Sequence, residues 1–359
     1  MTKFYQDILK EPTELSKSLD YTLRDGRASL EEAARILRKS EQIYIVGIGS
    51  SWNAGLAVLS FFNAAGRPAM LCDASEILHF GAVPKNAAII VLSRSGKSTE
   101  IVQLLDKLAS REVKIIAITN TPNSPLALGA DVVLKMMAAF DHAVSVSMYS
   151  VLAMIGGLLA SAIDGGLDNS LGVEIQSAAS GAAASLSTWR EQIAASDWLD
   201  PQAPTYLLAR GAALGNCHEG RLLWEEAAKL PASAMPTGGF RHGPQEVVRQ
   251  GLRIALWIDR ETMRAQDLAL AADLRKLGVK VLLIGQDLPS DAGDLVLQIP
   301  SIRREWQFLI DIIPIQIAAE LLAHAGNQDC DTFRLCQYIV EDEGGIIPRE
   351  ARLEGVAKE

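Results

Sequence analysis

The sequence predicts an α/β protein made of two similar tandem domains, each a parallel sheet flanked by helices. Three observations lead there. Short apolar runs alternate with amphipathic stretches from about residue 30 onward, which is the pattern of βαβ units. The runs are apolar at nearly every position, as strands buried on both faces are. The alternation also occurs twice at an offset of roughly 160 residues, a period suited to a duplicated domain and too long for a solenoid.

The first set of runs is QIYIVGIG (42–49), AAIIVLS (87–93), VKIIAITN (113–120) and DVVLKM (131–136). The second is PTYLLARG (204–211), RIALWIDR (253–260), VKVLLIGQ (279–286) and DLVLQIP (294–300). The stretches STEIVQLLDKLASREV and TMRAQDLALAADLRKLG lie between the second and third runs of each set and carry apolar residues at helical spacing. Residues 249–260 thus play in the second half the part that residues 86–95 play in the first. The Ala-rich stretch 177–187 reads as a helical linker. The elements divide the chain into an N-terminal helical segment (1–30), a first domain (31–170), a second domain (190–330) and a C-terminal tail (331–359) that ends in the polar stretch ARLEGVAKE.

Composition narrows the function. The chain has 359 residues, 49% of them hydrophobic and 21% charged, the balance of a globular protein. A formal net charge of -9 argues against a general nucleic-acid binder but leaves room for an anionic small ligand held by a few local donors. Cys72, Cys217, Cys330 and Cys336 have no C-x-x-C spacing. They read as free thiols in a reducing cytoplasm, with no metal site and no cofactor called for. The N-terminus lacks the apolar core of a signal peptide. The most apolar stretch, 148–163, is short for a membrane span and rich in Gly, Ala and Ser, so it reads as a buried helix and no membrane contact is expected.

In parallel α/β sheets, ligands bind beyond the carboxyl ends of strands. The first such loop is GIGSSWNAG (47–55), where Gly47 and Gly49 allow a tight turn and Ser50 and Ser51 open a helix. Hydroxyls and backbone N–H groups at a helix start suit a phosphate monoester, although Gly for the turn and Ser for a cap account for many such loops. The second loop, SRSGKSTE (93–100), sets Ser93, Ser95 and Ser98 around one glycine with Arg94 and Lys97 beside them, more than a cap requires. Neither loop is a nucleotide motif. Trp52 stands where G-x-G-x-x-G needs its third glycine, and Val91 where a P-loop needs its first.

In the second half, Glu219 and Glu226 lie seven residues apart on one predicted helix face. A carboxylate there is a surface group or a general base in a cleft; Glu225 reads as surface. His242 sits in the loop GGFRHGP, an unlikely context for a core histidine, whereas His79, His142, His218 and His324 read as structural.

At these residues the chain resembles the double sugar-isomerase (SIS) domain family of phosphosugar isomerases. It is similar to the isomerase half of glucosamine–fructose-6-phosphate aminotransferase and its stand-alone deaminase and deglycase relatives. GSSWNAG (49–55), ASE (74–76), SRSGKS (93–98), ARG (209–211), EGRLLWEE (219–226) and RHGP (241–244) fall in the family's order and spacing, and 219–244 aligns without a gap. The resemblance implies two tandem SIS domains, each a flavodoxin-like three-layer sandwich. It implies that Ser50, Ser51, Ser93, Arg94, Ser95 and Ser98 hold a sugar phosphate, with Arg94 at a position often Gln, and that Ser145 touches the sugar. Glu226 would move a proton between C1 and C2, and His242 would assist ring opening from a loop that crosses into a partner subunit of a homodimer.

Departures from the family limit the chemistry. No glutaminase domain or N-terminal Cys nucleophile is read in the chain, so glutamine-dependent amination is not expected. Gly239 stands in place of a Glu, Phe333 in place of a Pro, and Tyr338 near the place of a Schiff-base Lys. The expected enzyme therefore acts on an aminosugar phosphate or a fructosamine phosphate, by deamination with isomerisation or by deglycation. The alternatives are aldose–ketose isomerisation of a plain sugar phosphate and non-catalytic sensing of one. No basic recognition helix supports a DNA-binding sensor.

Overall fold

Ten strands form two parallel sheets of the same topology in this computed structural model, which describes residues 1–346 except Ser110, Gly166, Asp168, Glu343 and the side chain of Asn169. The closing stretch ARLEGVAKE lies outside the described residues. The first sheet comprises β1 (Gln42–Gly47), β2 (Met70–Asp73), β3 (Ala87–Leu92), β4 (Lys114–Thr119) and β5 (Val132–Lys135), in the order β2-β1-β3-β4-β5. The second comprises β6 (Thr205–Ala209), β7 (Ser233–Pro236), β8 (Arg253–Ile258), β9 (Lys280–Gly285) and β10 (Leu295–Gln298), in the order β10-β9-β8-β6-β7. Read from β7, the second order repeats the first. Eight strands coincide with the apolar runs of the sequence. The other two, β2 and β7, are only half covered along their length, so their residues carry no continuous apolar run.

Helices follow the strands. Before the first sheet come α1 (Lys3–Leu23) and α2 (Arg27–Lys39). Within the first half are α3 (Ser50–Ala64), α4 (Ala74–His79), α5 (Thr99–Leu108) and α6 (Pro125–Gly129), and α7 (Ser147–Ile163) and α8 (Asn169–Ala195) lead to the second. There α9 (Ala213–Leu223) runs into a π-turn at Trp224–Ala228, and α10 (Thr237–Phe240), α11 (Arg264–Lys276), α12 (Phe308–Asp311) and α13 (Ile313–Ala325) complete the set. The Ala-rich linker is the middle of α8, and the apolar stretch is α7, buried almost throughout. A second apolar segment, Arg304–Ala325, is likewise mostly buried inside the protein.

Strand residues alternate between cores. Ile45 and Ile90 of the first sheet, Leu207 and Trp257 of the second, and Leu152 and Ile315 from helices belong to one cluster shared by both halves. Their neighbours Val46 and Ile89 pack with Leu104 in an outer cluster, and Leu208 and Leu256 pack with Leu283 in another. Each sheet is covered on both faces, which is why its inner strands are apolar at nearly every position. Burying one such Ile or Leu contributes about 1.5–3 kcal/mol, and the shared cluster joins the halves into one body. That union brings helix α9 of the second half against the start of α3 in the first.

Candidate functional site

The order of the first sheet reverses between β1 and β3, and the loops after those two strands line a cavity of about 220 Å³. Gly47 ends β1. A Cβ there would stand 2.7 Å from the Ser51 carbonyl carbon, so the first turn of α3 lies directly against the strand end. Gly49 takes a φ of +57°, in the left-handed region that favours glycine. Ser50 and Ser51 follow and both face the cavity.

The loop after β3 folds on its own hydroxyls. Ser93 Oγ accepts from the Gly96 N–H at 3.1 Å and Ser95 Oγ from the Lys97 N–H at 3.2 Å. Gly96 has a φ of +62°, and a Cβ there would meet Ser124 Oγ at 2.2 Å. Ser98 occupies the cap position of α5, yet its side chain makes no capping bond, which counts against a purely structural role. Ser93, Arg94, Ser95 and Ser98 all line the cavity, while Lys97 is exposed and points elsewhere.

Ser145 reaches the same space from the approach to α7. The buried Asp141 carboxylate sets that approach by accepting from the N–H groups of Val146, Ser147 and Met148 at 2.8, 3.2 and 3.0 Å. Burial holds its carboxyl up at about 6.

Glu226 enters from the second half on the π-turn that continues α9. Such turns inside helices recur at functional sites because they re-aim a side chain. Burial pushes the Glu226 carboxyl up to about 7, against the opposing pull of Arg94 and Lys229. Lys229 closes the turn in the left-handed conformation, and its ammonium donates to the carbonyl oxygens of Glu226 and Thr332. Glu225, by contrast, is exposed and paired with Arg221.

Two features of the site take their roles from the tertiary fold. The first is Glu219, buried on α9, which accepts from Ser50 Oγ and from Asn53 Nδ2, each at 2.8 Å. Burial raises its carboxyl to about 8, although both hydrogen bonds lower it. The second is the C-terminal segment, which runs over the cavity as a strap contributing Phe333, Cys336, Tyr338 and Val340. Arg94 Nη2 donates to the Tyr338 carbonyl at 2.8 Å, and its guanidinium lies 4.1 Å from the centre of the Tyr338 ring. The Tyr338 hydroxyl donates to the Asp141 carbonyl at 2.9 Å, and the Thr99 N–H donates to the Val340 carbonyl at 3.1 Å. The departures at Phe333 and Tyr338 from the family pattern are the sequence signals that this segment matters.

Eight of the nine residues picked from the sequence therefore come together: Ser50, Ser51, Ser93, Arg94, Ser95, Ser98, Ser145 and Glu226. His242 does not join them; it is exposed on a turn before a short 3-10 helix, away from the cavity lining of its own chain. His218 is half-buried edge-on to Trp52, with ring centres 5.7 Å apart.

The serine-lined cavity thus lies at the switch point of a parallel sheet whose topology the chain repeats. Residues 36–162 match the family model of the SIS domain, and the second sheet repeats the topology of the sheet in that stretch. Over 90% of its length it is 26% identical to the glutamine–fructose-6-phosphate aminotransferase (isomerizing) of Pyrobaculum aerophilum, covering 55% of that protein. Over 90% of its length it is 25% identical to the same enzyme of Bacillus subtilis, again covering 55% of it. The chain spans about half the length of these curated relatives. Among solved structures it is similar to the C-terminal domain of glucosamine-fructose-6-phosphate aminotransferase from Francisella tularensis. That likeness has a TM-score of 0.83 and 22% identity, over 92% of this chain and 98% of that one. Glucosamine-6-phosphate deaminase from Thermotoga maritima gives 0.79 and 21%, over 94% and 99% of the two chains. Tagatose-6-phosphate ketose/aldose isomerase from Escherichia coli gives 0.80 and 19%, over 97% of each. At these identities the structural likeness is one of fold.

Proposed function

We propose that this chain is an enzyme that moves a proton between C1 and C2 of an aminosugar phosphate or a fructosamine phosphate. The observation that carries the reading is the pairing, in one cavity, of an anion cradle with a carboxyl that titrates near neutrality. Ser93, Arg94, Ser95 and Ser98 offer hydroxyl and guanidinium donors at the start of α5, which suits a phosphate dianion. Glu226 faces them with its carboxyl held at about 7, where a general base works best near neutral pH. Substrate phosphate would anchor one end of the molecule and present the other to Glu226. The named activities of the aminotransferases and of the deaminase with the same fold are consistent with this.

The chemistry balances in both cases. On an opened 2-amino sugar, Glu226 takes the C2 proton and returns it to C1. This leaves an imine at C2 that water hydrolyses to a ketose phosphate and ammonia. On a fructosamine phosphate, the C1 proton moves to C2, leaving an imine at C1 that water hydrolyses to an aldose phosphate and the free amine. Neither route needs an enzyme amine, and among the described residues no lysine lines the cavity. Tyr338, near the place where the resemblance expects a Schiff-base Lys, spends its hydroxyl on the Asp141 carbonyl.

The reading includes a homodimer. His242 stands exposed and apart from its own chain's cavity, so its part in ring opening is assigned to a neighbouring subunit's site. The test is turnover of a panel of hexosamine and fructosamine 6-phosphates in deuterium oxide. Release of ammonia or amine with deuterium at C1 or C2 is expected. Isomer without either release would move the assignment to a plain aldose–ketose isomerase. No conversion of any member, with binding intact, would make the chain a sensor.

A further inference from the structure

The hydroxyls around the cavity differ in where their hydrogens can go. A serine hydroxyl has one hydrogen to give and two lone pairs with which to accept. Ser93 Oγ and Ser95 Oγ each spend a lone pair on a backbone N–H, that of Gly96 and that of Lys97. Among the described residues neither gives its hydrogen to a protein acceptor, so both are left to donate into the cavity. Ser50 is the exception. It lines the same cavity at the start of α3, and its Oγ stands 2.8 Å from Glu219 Oε1. While that carboxyl is ionised, the bond takes the serine's only hydrogen. The cavity then meets only lone pairs at Ser50, and these repel an anion.

A proton on Glu219 reverses this. Asn53 Nδ2 donates to Oε2 at 2.8 Å, so that oxygen already has its donor, and Oε1 faces Ser50. A proton carried on Oε1 finds its acceptor in Ser50 Oγ across the same 2.8 Å, and the serine hydrogen is released toward the cavity. Burial without an ion-pair partner favours the neutral acid and holds this carboxyl at about 8. The elements packed against it bring few competing charges. Helix α3 and strand β7 carry no ionisable side chain. Strand β6 carries only Tyr206, which packs against the outer cluster. Tyr149 of α7 and Asp311 of α12 are both bonded to Asn216. Glu320 and His324 of α13 pair with each other, and Glu320 also pairs with Arg190. Cys217, His218 and Arg221 share its own helix, and Glu226 follows on the π-turn. Of all these only Glu226 lines the cavity.

We propose that Glu219 is a positioning residue that sets the polarity of Ser50. Carrying a proton, it donates to Ser50 Oγ and turns the serine O–H into the cavity for an anion; as a carboxylate, it takes that O–H back. The inference rests on the reading of this cavity as an anion cradle. It has a consequence for the two acidic groups together. Turnover needs Glu226 ionised while Glu219 is neutral, and their carboxyls, at about 7 and about 8, leave a window between those values.

The test uses sulfate, which stays a dianion from pH 6.5 to 9. The full chain carries Glu226→Gln, which removes the other carboxyl that titrates in the cavity. Calorimetric titration should show sulfate affinity falling by about tenfold between pH 6.5 and 9. Adding Glu219→Gln should hold the pH 6.5 affinity across the range, because a side-chain amide donates to Ser50 Oγ while its oxygen accepts from Asn53. Adding Ser50→Ala should instead lower the affinity at pH 6.5 and remove most of the pH dependence, which separates hydrogen-bond polarity from repulsion by a more distant charge. Ser95→Ala should weaken binding at every pH and so place the sulfate in this cavity. The inference is overturned, with the cradle left standing, if Glu219→Gln with native circular dichroism loses affinity at pH 9 as its parent does, or if Ser50→Ala does. No sulfate binding, or binding indifferent to Ser95→Ala, overturns the cradle and this inference together.

Discussion

Glu219, buried in the second half, accepts a hydrogen bond from Ser50 Oγ, in the first half, at 2.8 Å. One of the hydroxyls expected to hold phosphate is thus oriented by a carboxyl from the other domain, and Asn53 holds that carboxyl from its other side.

This link makes stability depend on pH. Burial raises the Glu219 carboxyl to about 8, from an ordinary value near 4.5. The folded state therefore binds its proton more tightly than the unfolded state. The contribution to stability is full below about pH 4.5 and is lost as pH rises through 8. Urea unfolding of the parent should show stability falling between pH 5 and 8, and Glu219→Gln should flatten that fall by roughly 1–3 kcal/mol. An unchanged slope in the variant would mean that Glu219 is ionised in the fold.

Glu226→Gln keeps the shape of the π-turn and removes the base. Turnover should fall by about 10²–10⁴-fold while sugar-phosphate binding persists. With the carboxyl held at about 7, the parent's kcat should be low at pH 5.5 and rise through 7 as Glu226 ionises. Normal turnover in the variant would direct attention to Glu219 or Glu225.

The strap is testable through Tyr338. Its ring lies over the Arg94 guanidinium and its carbonyl accepts from it. Tyr338→Ala removes a contact of about 0.5–1 kcal/mol and should raise KM several-fold with kcat less affected. Tyr338→Phe keeps the ring and should stay close to the parent. Equal effects of the two would place the role in the hydroxyl bonded to Asp141.

Two glycines of the first loop should differ. Gly49→Ala meets nothing within 4 Å and bears only the left-handed backbone penalty of about 1 kcal/mol. Gly47→Ala would push against the Ser51 backbone at 2.7 Å and displace the first turn of α3. Thermal unfolding should show the larger loss at Gly47, accompanied by weaker phosphate binding. The reverse order would show that α3 can shift without harm to the site.

The proposed dimer predicts complementation. Mixed dimers of Glu226→Gln and His242→Ala subunits should recover activity that neither variant has alone. Mixed dimers that form and remain inactive would place both residues in one subunit's site.

Legibility followed the range of the interaction. The central strands announce themselves because burial on both faces demands an unbroken apolar run, as in Ala87–Leu92. Strands β2 and β7, in which no residue is fully buried, make no such demand and went unread. The phosphate loops were readable because a turn at Gly49 or Gly96 and a hydroxyl two residues away are local matters. The Glu219–Ser50 bond and the Arg94–Tyr338 stack join residues 169 and 244 positions apart, and no local pattern encodes them.

By itself the sequence determined the parallel α/β class, the duplication, and the serine loops and carboxyl from which a site could be built. Each depends on residue type at short spacing, where backbone geometry and burial dictate what is tolerated. Only the tertiary structure decided that Glu226 faces Arg94 across one cavity, that Glu219 is a buried strut and not a surface group, that the tail closes the site, and that His242 stands outside it. Those outcomes depend on how the shared core packs two halves together. A carboxyl's environment, and with it the proton affinity that makes it a base or a strut, exists only after that packing.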